Sequence, residues 1–318
     1  MGWSSRSRGG NRRRTICSIE FLRSGSFAAP APGRGRGGRR VPFPGVRSGL
    51  IRLVPPSGGE ARPLQGCYLG LGLEQGGPAG EPLIYANFIT SLDGRIAVAD
   101  AAGAMRVPEA IANPRDWRLY QELAAQSAVM IVSARYFRQL AAGQAQALLP
   151  LEAEELRAWR RARGLPEQPE LLLLSRSLDI PLEALAPFAD RRITLFVPSE
   201  GGAQHRLAAL ERVGVRLLVA KRGGVSGREV RDWMRRRGLK SGYAIAGCGV
   251  FHTLLADGVV DRLFLTTRLA LLGGDCVATL LRDALPAPLE LSLRTLYYDP
   301  AGNQLFADYA IGSNGSGA

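Results

Sequence analysis

Histidine and cysteine are scarce in this chain, and their scarcity closes off several chemistries. The 318 residues contain two histidines, His205 and His252, with no His-x-Glu or His-Glu-x-x-His spacing. Zinc-dependent hydrolysis and deamination are thereby disfavoured, and His252 reads as a packed or solvated side chain. Cys17, Cys67, Cys248 and Cys276 are too scattered for a Cys-x-x-Cys pair and too few for a disulfide scaffold, so a reducing compartment is expected. There is no Gly-x-Ser-x-Gly elbow and no Walker loop. No apolar run reaches the ~18–20 residues that span a bilayer, and the N-terminus lacks the apolar segment of a secretory signal. The expectation is a cytoplasmic protein without a membrane partner.

Acidic residues are nearly missing from the first 48 positions. Eleven arginines there face only Glu20, a local charge of +10 within a total of +13, which leaves +3 for the other 270 residues. Thirty-one of those 48 residues are Gly, Pro, Ser or Arg, a composition that cannot bury enough apolar surface to offset chain entropy. Residues 1–48 are therefore expected to be a disordered basic extension. Three readings stay open for it: a non-functional extension or mis-assigned start, an organelle transit peptide, and a nucleic-acid-binding Arg-Gly arm. Nucleic acid is expected as a partner only through this tail.

What is present from Gly49 onward is an ordinary apolar share and an alternation of strands and helices, read as one domain over 49–318. Strands are predicted at Pro82–Phe88, Ala128–Val132, Leu171–Leu174, Ile193–Val197, Arg216–Val219, Tyr243–Ala246 and Asp261–Thr267. Helices are predicted at Ile111–Gln126, Glu152–Arg163, His205–Arg212, Val225–Arg237 and Phe251–Ala256. The first helix has a legible start: Asn113 as N-cap, Pro114 at the first helical position, and Asp116 near the positive helix end. The alternation predicts an α/β fold whose mixed, mostly parallel sheet is flanked by helices. Leu289–Asp299 and Gln304–Ile311, around Asp-Pro-Ala-Gly-Asn, predict a C-terminal antiparallel hairpin.

Three strand ends carry candidate chemistry. Gly247-Cys248-Gly249 joins a strand to a helix, where glycines admit a close ligand and the helix N-terminus favours a phosphate. Glycines that merely make a tight turn are the alternative. Ser133 and Arg135, with Ser175 and Arg176, end two further strands and suit a phosphate monoester, or else are solvated loop residues. Asn87, Ser91 and Asp93 lie in or just after an apolar strand. A carboxylate at Asp93 suits proton transfer or an amine-bearing ring, and alternatively satisfies its own Asp93-Gly94 turn.

Taken in order, Pro82-Leu-Ile-Tyr-Ala-Asn-Phe-Ile-Thr-Ser-Leu-Asp-Gly-Arg-Ile-Ala97, Ala128-Val-Met-Ile-Val-Ser-Ala-Arg-Tyr136, Ile245-Ala-Gly-Cys-Gly249 and Asp257-Gly-Val-Val-Asp-Arg-Leu-Phe-Leu-Thr266 through Leu271-Leu-Gly-Gly274 resemble the pyrimidine reductase domain of riboflavin biosynthesis. The resemblance covers about residues 80–312. It implies a dihydrofolate-reductase-like fold, a homodimer, NADPH as cofactor and a phosphorylated pyrimidine as substrate, reduced at the ribose C1 to a ribitylamino product. It also implies that Gly247, Cys248 and Gly249 cradle the pyrophosphate, that Ser133 and Arg135 lie beside the cofactor, and that Ser175 and Arg176 face the 2′-phosphate. Gly273 and Gly274 join this cofactor set, while Asn87, Ser91 and Asp93 line the nicotinamide and substrate pocket. In the family a Lys often stands at Asn87, a Glu at Ala246, and a Gly-rich turn at Ser133-Ala-Arg-Tyr136. These departures leave open a relative with a pterin-like substrate, or an NADP-binding protein of little activity. The His-x-Glu and Pro-Cys-x-x-Cys signatures of the deaminase that often precedes the domain are not found in the sequence.

Overall fold

The computed structural model describes residues 49–55, 61–99, 105–145, 147–175, 177–199, 204–221, 223–245, 247–275, 277–281 and 283–312. The expectations for residues 1–48, Arg176 and Ala246 lie outside the described residues.

In chain order the strands are β1 (Leu50–Val54), β2 (Ala61–Arg62), β3 (Leu83–Ser91), β4 (Ala97–Ala99), β5 (Met105–Arg106), β6 (Val129–Ser133), β7 (Glu170–Leu174), β8 (Ile193–Val197), β9 (Arg216–Val219), β10 (Ser241–Ala244), β11 (Arg262–Arg268), β12 (Val277–Ala278), β13 (Leu291–Asp299) and β14 (Gln304–Ile311). The helices are α1 (Pro114–Ala125), α2 (Ala134–Ala141), α3 (Glu154–Arg161), α4 (Gln204–Arg212), α5 (Gly227–Arg236) and α6 (Cys248–Ala256). Among the described residues, eleven strands form one sheet in the order β2-β1-β13-β14-β11-β3-β10-β6-β7-β8-β9. The stretch from β11 to β9 is parallel throughout, and β14, β13, β1 and β2 continue it antiparallel. The mixed, mostly parallel sheet expected from the sequence is present, and its C-terminal hairpin is built into it. β14 pairs with β11 and β13 with β1.

Period-two patterning splits the core. Along β3, Tyr85 faces a cluster with Tyr243, Phe264 and the α1 residues Leu119, Tyr120 and Leu123. Ile84, Ala86 and Phe88 face the opposite cluster with Val230, Trp233, Phe251 and Leu254 of α5 and α6. A strand buried on both faces needs a nearly continuous apolar run, which Leu-Ile-Tyr-Ala-Asn-Phe-Ile supplies except at Asn87. Burying a large side chain of this kind is worth ~1.5–3 kcal/mol. The chain therefore commits β3 to the sheet centre and leaves one polar group there to be explained.

Asn113 caps α1 as expected, its Oδ1 accepting from the N–H groups of Arg115 (3.1 Å) and Asp116 (3.0 Å). At the other end of α1 the buried Arg160 donates Nη1 to the carbonyls of Ala125 (2.9 Å) and Ser127 (2.6 Å), tying helix end to strand start.

Strands β1 and β2 were not predicted, and three further features differ from the sequence expectation. Helix α6 begins at Cys248, three residues before the predicted Phe251, because Gly247 is already an extended N-cap (φ −61°, ψ 174°). Ser133-Ala-Arg-Tyr136 is the start of α2: the run Ala134-Arg-Tyr-Phe-Arg-Gln-Leu-Ala141 consists largely of helix formers and buries Phe137. The small sheet β12-β4-β5 was not anticipated, since strands of two or three residues carry no periodic signal.

From β6 the chain winds outward through β7 and β8 to β9, then returns to insert β10 between β6 and β3. That reversal of winding opens a crevice at the carboxyl ends of β6 and β10, where open α/β sheets bind ligands.

Candidate active site

A cavity of about 850 Å³ occupies that crevice. Its first component is a pair of helix N-termini. Helix α2 rises from β6 with Ser133 as N-cap, and α6 follows β10 with Gly247 as N-cap. Neither residue makes a side-chain cap hydrogen bond. Because β6 and β10 are hydrogen-bonded neighbours, Ala134, Arg135, Cys248 and Gly249 line the same space. The first-turn N–H groups of a helix have no intrahelical partner, and two positive helix ends side by side favour an anion with several oxygens. A Cβ built on Gly249 would meet nothing within 4 Å, whereas one on Gly227 or Gly242 would strike Val259 at 2.7 Å or Met234 at 2.9 Å. Those two glycines serve packing; Gly249 lines the cavity with open space beside it.

The second component is a polar floor under aromatic walls. Asn87 interrupts the apolar run of β3, and its Oδ1 accepts the hydroxyl of Tyr243. Tyr243 is fully buried and stacked on Tyr85 (5.1 Å, 19°), and burial pushes its pKa well above the ordinary value, so the phenol stays a donor. With its oxygen engaged, Asn87 can offer the cavity its NH2 group. Trp117 and Tyr120 stack at 4.8 Å and 9° to form a wall.

Between wall and floor sits Asp116, 7% exposed and lining the cavity. Asn113 already serves the α1 N-terminus, so the Asp116 carboxyl is not drawn back as a cap. Among the described residues its Oδ1 has no hydrogen-bond partner. Burial raises its pKa from 3.8 to about 6, against a lowering hydrogen bond from Thr266. The turn that carries it is pinned to the β13–β14 hairpin: Arg115 Nε donates to Asp299 (2.7 Å), and Asn113 Nδ2 donates to Gln304 Oε1 (2.8 Å). Sequence inspection did not single out Asp116 as a site residue. One signal was there: it shares a helix face with Leu119, Tyr120 and Leu123, and an acid in phase with an apolar stripe is buried.

The structure brings Asn87, Ser133, Arg135, Ser175, Gly247, Cys248 and Gly249 around one cavity. Ser91, Asp93, Gly273 and Gly274 are not among its lining residues. Instead Ser91 Oγ donates to Asp93 Oδ1, and the Asp93 carboxylate accepts from Leu272 N (3.2 Å) and Gly273 N (2.8 Å). These bonds lower its pKa from 3.8 to about 2, the hydroxyl of Ser91 contributing most and the Gly273 amide next. Such a carboxylate carries no proton near neutral pH. It clasps the loop after β3 to the loop after β11, at positions where Gly94 and Gly273 both need a left-handed backbone (φ 81° and 65°). We expect Asp93→Ala to speed hydrogen exchange at the Leu272 and Gly273 amides by roughly tenfold or more, with α1 unaffected. Unchanged exchange there would show that the clasp holds nothing.

Residues 82–305 match the RibD C-terminal domain family. No curated protein matches the sequence. Among solved structures, the chain is similar to a pyrimidine reductase-like protein from Corynebacterium diphtheriae (22% identity, TM-score 0.58, 73% of this chain and 93% of that one). It is also similar to RibD from Acinetobacter baumannii (17%, TM-score 0.51, 74% and 59%). A third likeness is to the diaminohydroxyphosphoribosylaminopyrimidine deaminase/5-amino-6-(5-phosphoribosylamino)uracil reductase of Thermotoga maritima (14%, TM-score 0.51, 73% and 57%). The chain thus spans less than two thirds of the latter two proteins. The family match runs from β3 through β11 into β14 and takes in every element around the cavity, so the chain belongs to the RibD C-terminal domain family, the pyrimidine reductases of riboflavin biosynthesis.

Proposed function

We propose that the protein reduces a ribosylaminopyrimidine phosphate to its ribitylamino form with NADPH. The observation that carries this reading is the pair of helix N-termini, neither capped by its own N-cap side chain, opening on the same cavity as the buried acid Asp116. The cavity fits a dinucleotide by its chemistry: backbone donors at Ala134, Arg135, Cys248 and Gly249 for a pyrophosphate, and open space where a Gly249 side chain would stand. Ser133, Ser175 and Arg135 are hydroxyl and guanidinium groups suited to the 2′-phosphate, with Arg176 proposed to join them from outside the described residues. When bound, NADPH supplies the hydride; the chain positions the reactants and manages the proton. Asn87, its oxygen held by the Tyr243 hydroxyl, gives the substrate ring a fixed hydrogen-bonding edge, and Trp117 with Tyr120 excludes water from one side. Ser91 and Asp93 take the supporting role of holding the strand-end loops together.

A homodimeric assembly and a cytoplasmic location go with this reading and rest on the family alone. Among the described residues no helix is long and apolar enough to cross a membrane. A pterin-like substrate is the second reading, favoured by the neutral Asn87–Tyr243 pair where the family often has a lysine.

Titration with NADPH and NADH, followed by cofactor oxidation against the ribosylaminopyrimidine phosphate and a set of pterins, tests both. Tighter NADPH than NADH binding and turnover of the pyrimidine are expected. Turnover of a pterin alone would replace the first reading with the second, and absence of dinucleotide binding would end both.

A further inference from the structure

Reduction of a carbon–nitrogen or carbon–oxygen bond by hydride consumes one proton, and the residues that hold the cofactor are poor sources of it. The hydroxyls of Ser133 and Ser175 are weak acids, Arg135 keeps its charge, and Asp93 is held ionised by Ser91 and the 272–273 amides. Among the described residues, Asp116 is the carboxyl that combines near-complete burial, a place in the cavity lining and an oxygen without a hydrogen-bond partner; Asp283, the other carboxyl of the lining, is exposed, and His252 is only partly buried on α6. We propose that the Asp116 carboxyl is the acid that supplies the proton for the reduction.

The surroundings favour that task. Facing Asp116 are the Thr266 hydroxyl of β11, which acts to lower its pKa, and the phenols of Tyr68 and Tyr243, whose own ionisation it opposes. Asn87 of β3 and Tyr120 of α1 line the same cavity. The neighbouring arginine on α1, Arg115, is bound to Asp299, and Arg268 of β11 is likewise drawn toward Asp299. No ion pair joins Asp116 to a cation among the described residues, so burial wins and the carboxyl keeps its proton to about pH 6. An acid poised there can donate near neutrality, which a carboxyl at its ordinary pKa does poorly.

The inference rests on the proposed reductase reading, and its balance is simple. When bound, NADPH would supply the hydride for the new C–H bond at C1 of the ring-opened imine form of the substrate, and the C=N electron pair would move to nitrogen. That nitrogen takes the Asp116 proton: the carboxyl O–H breaks, an N–H forms, NADPH becomes NADP⁺, and the carboxylate is reprotonated from solvent.

Two measurements on the full chain decide the matter. In Asp116→Asn, kcat with NADPH and the ribosylaminopyrimidine phosphate is expected to fall about 100-fold or more. NADPH affinity should stay within about twofold, and the wild-type decline of kcat above pH 6 should disappear; Asp116→Glu, which keeps an acid, should recover part of the rate. A rate within about threefold of wild type, with the same pH profile, would overturn the proposal. Independently, infrared difference spectra of wild type against Asp116→Asn should show a protonated carboxyl band vanishing with a midpoint near pH 6. A midpoint in the ordinary carboxylate range overturns it without reference to activity. If wild-type protein oxidises no NADPH with the pyrimidine, the substrate assignment fails, while the infrared titration still decides whether Asp116 is a held acid.

Discussion

Asp116→Asn is expected to melt at a higher temperature than the wild type at pH 8, and at nearly the same temperature at pH 4. The buried carboxyl titrates at about 6 in the fold and at 3.8 in a model peptide, so between those values the folded protein binds the extra proton. Stability linked to this group is complete below about pH 4 and is lost as pH rises through 6. At pH 8 the folded state carries an ionised buried acid, a penalty of about 3 kcal/mol that an asparagine never meets. For a domain of this size the gain corresponds to roughly 5–10 °C in Tm. Melting curves of both proteins from pH 4 to pH 8 check it. The difference should open progressively through pH 6. A gap of constant size would locate the effect in packing, and a lower Tm for the variant at pH 8 would contradict the assigned environment. A residue whose removal stabilises the fold while slowing turnover is behaving as functional sites do.

Gly249→Val is expected to abolish useful cofactor binding without harming the fold. The position lies in the first turn of α6, and nothing stands within 4 Å of a Cβ placed there. Valine in a helix is no worse than glycine, so Tm should hold or rise slightly. On the proposed reading, the same branched side chain crowds the space in which the Cys248 and Gly249 amides would meet the pyrophosphate. Two charge-assisted hydrogen bonds lost together weaken NADPH by about 100-fold. Dinucleotide titration together with a thermal melt separates the two effects. Unchanged affinity would mean that the phosphate does not approach α6. By contrast, Gly242→Ala should lower Tm and leave binding alone, because its Cβ would press on Met234 at 2.9 Å.

The parts of this fold that follow from local chemistry were legible in the sequence. The cap at Asn113 and the full extent of β14 are set by a turn, a proline and a period, all within a few residues. Helix α2 was not, since Ser133-Ala-Arg-Tyr136 sits where a ligand loop was expected and only the burial of Phe137 shows the helical face. Asp93 illustrates a different limit. Its turn was readable, but the amides it binds lie 179 and 180 residues further along the chain. Asn87 and Asp116 stood in plain view as polar residues inside apolar patterns. The bond of Asn87 to Tyr243, on a strand that joins β3 only in the folded sheet, and the burial of Asp116 are what give them chemical content.

On the proposed reading, the crevice between α2 and α6 is a hydride-transfer site whose proton comes from the Asp116 side. Single-turnover mixing of the protein with NADPH deuterated at the transferring position and the ribosylaminopyrimidine phosphate tests this most directly. The predicted result is deuterium on C1 of the ribityl chain, with one equivalent of cofactor oxidised and a rate that falls above pH 6 in wild type but not in Asp116→Asn. Cofactor bound but left unoxidised, or product carrying no deuterium at C1, would contradict it.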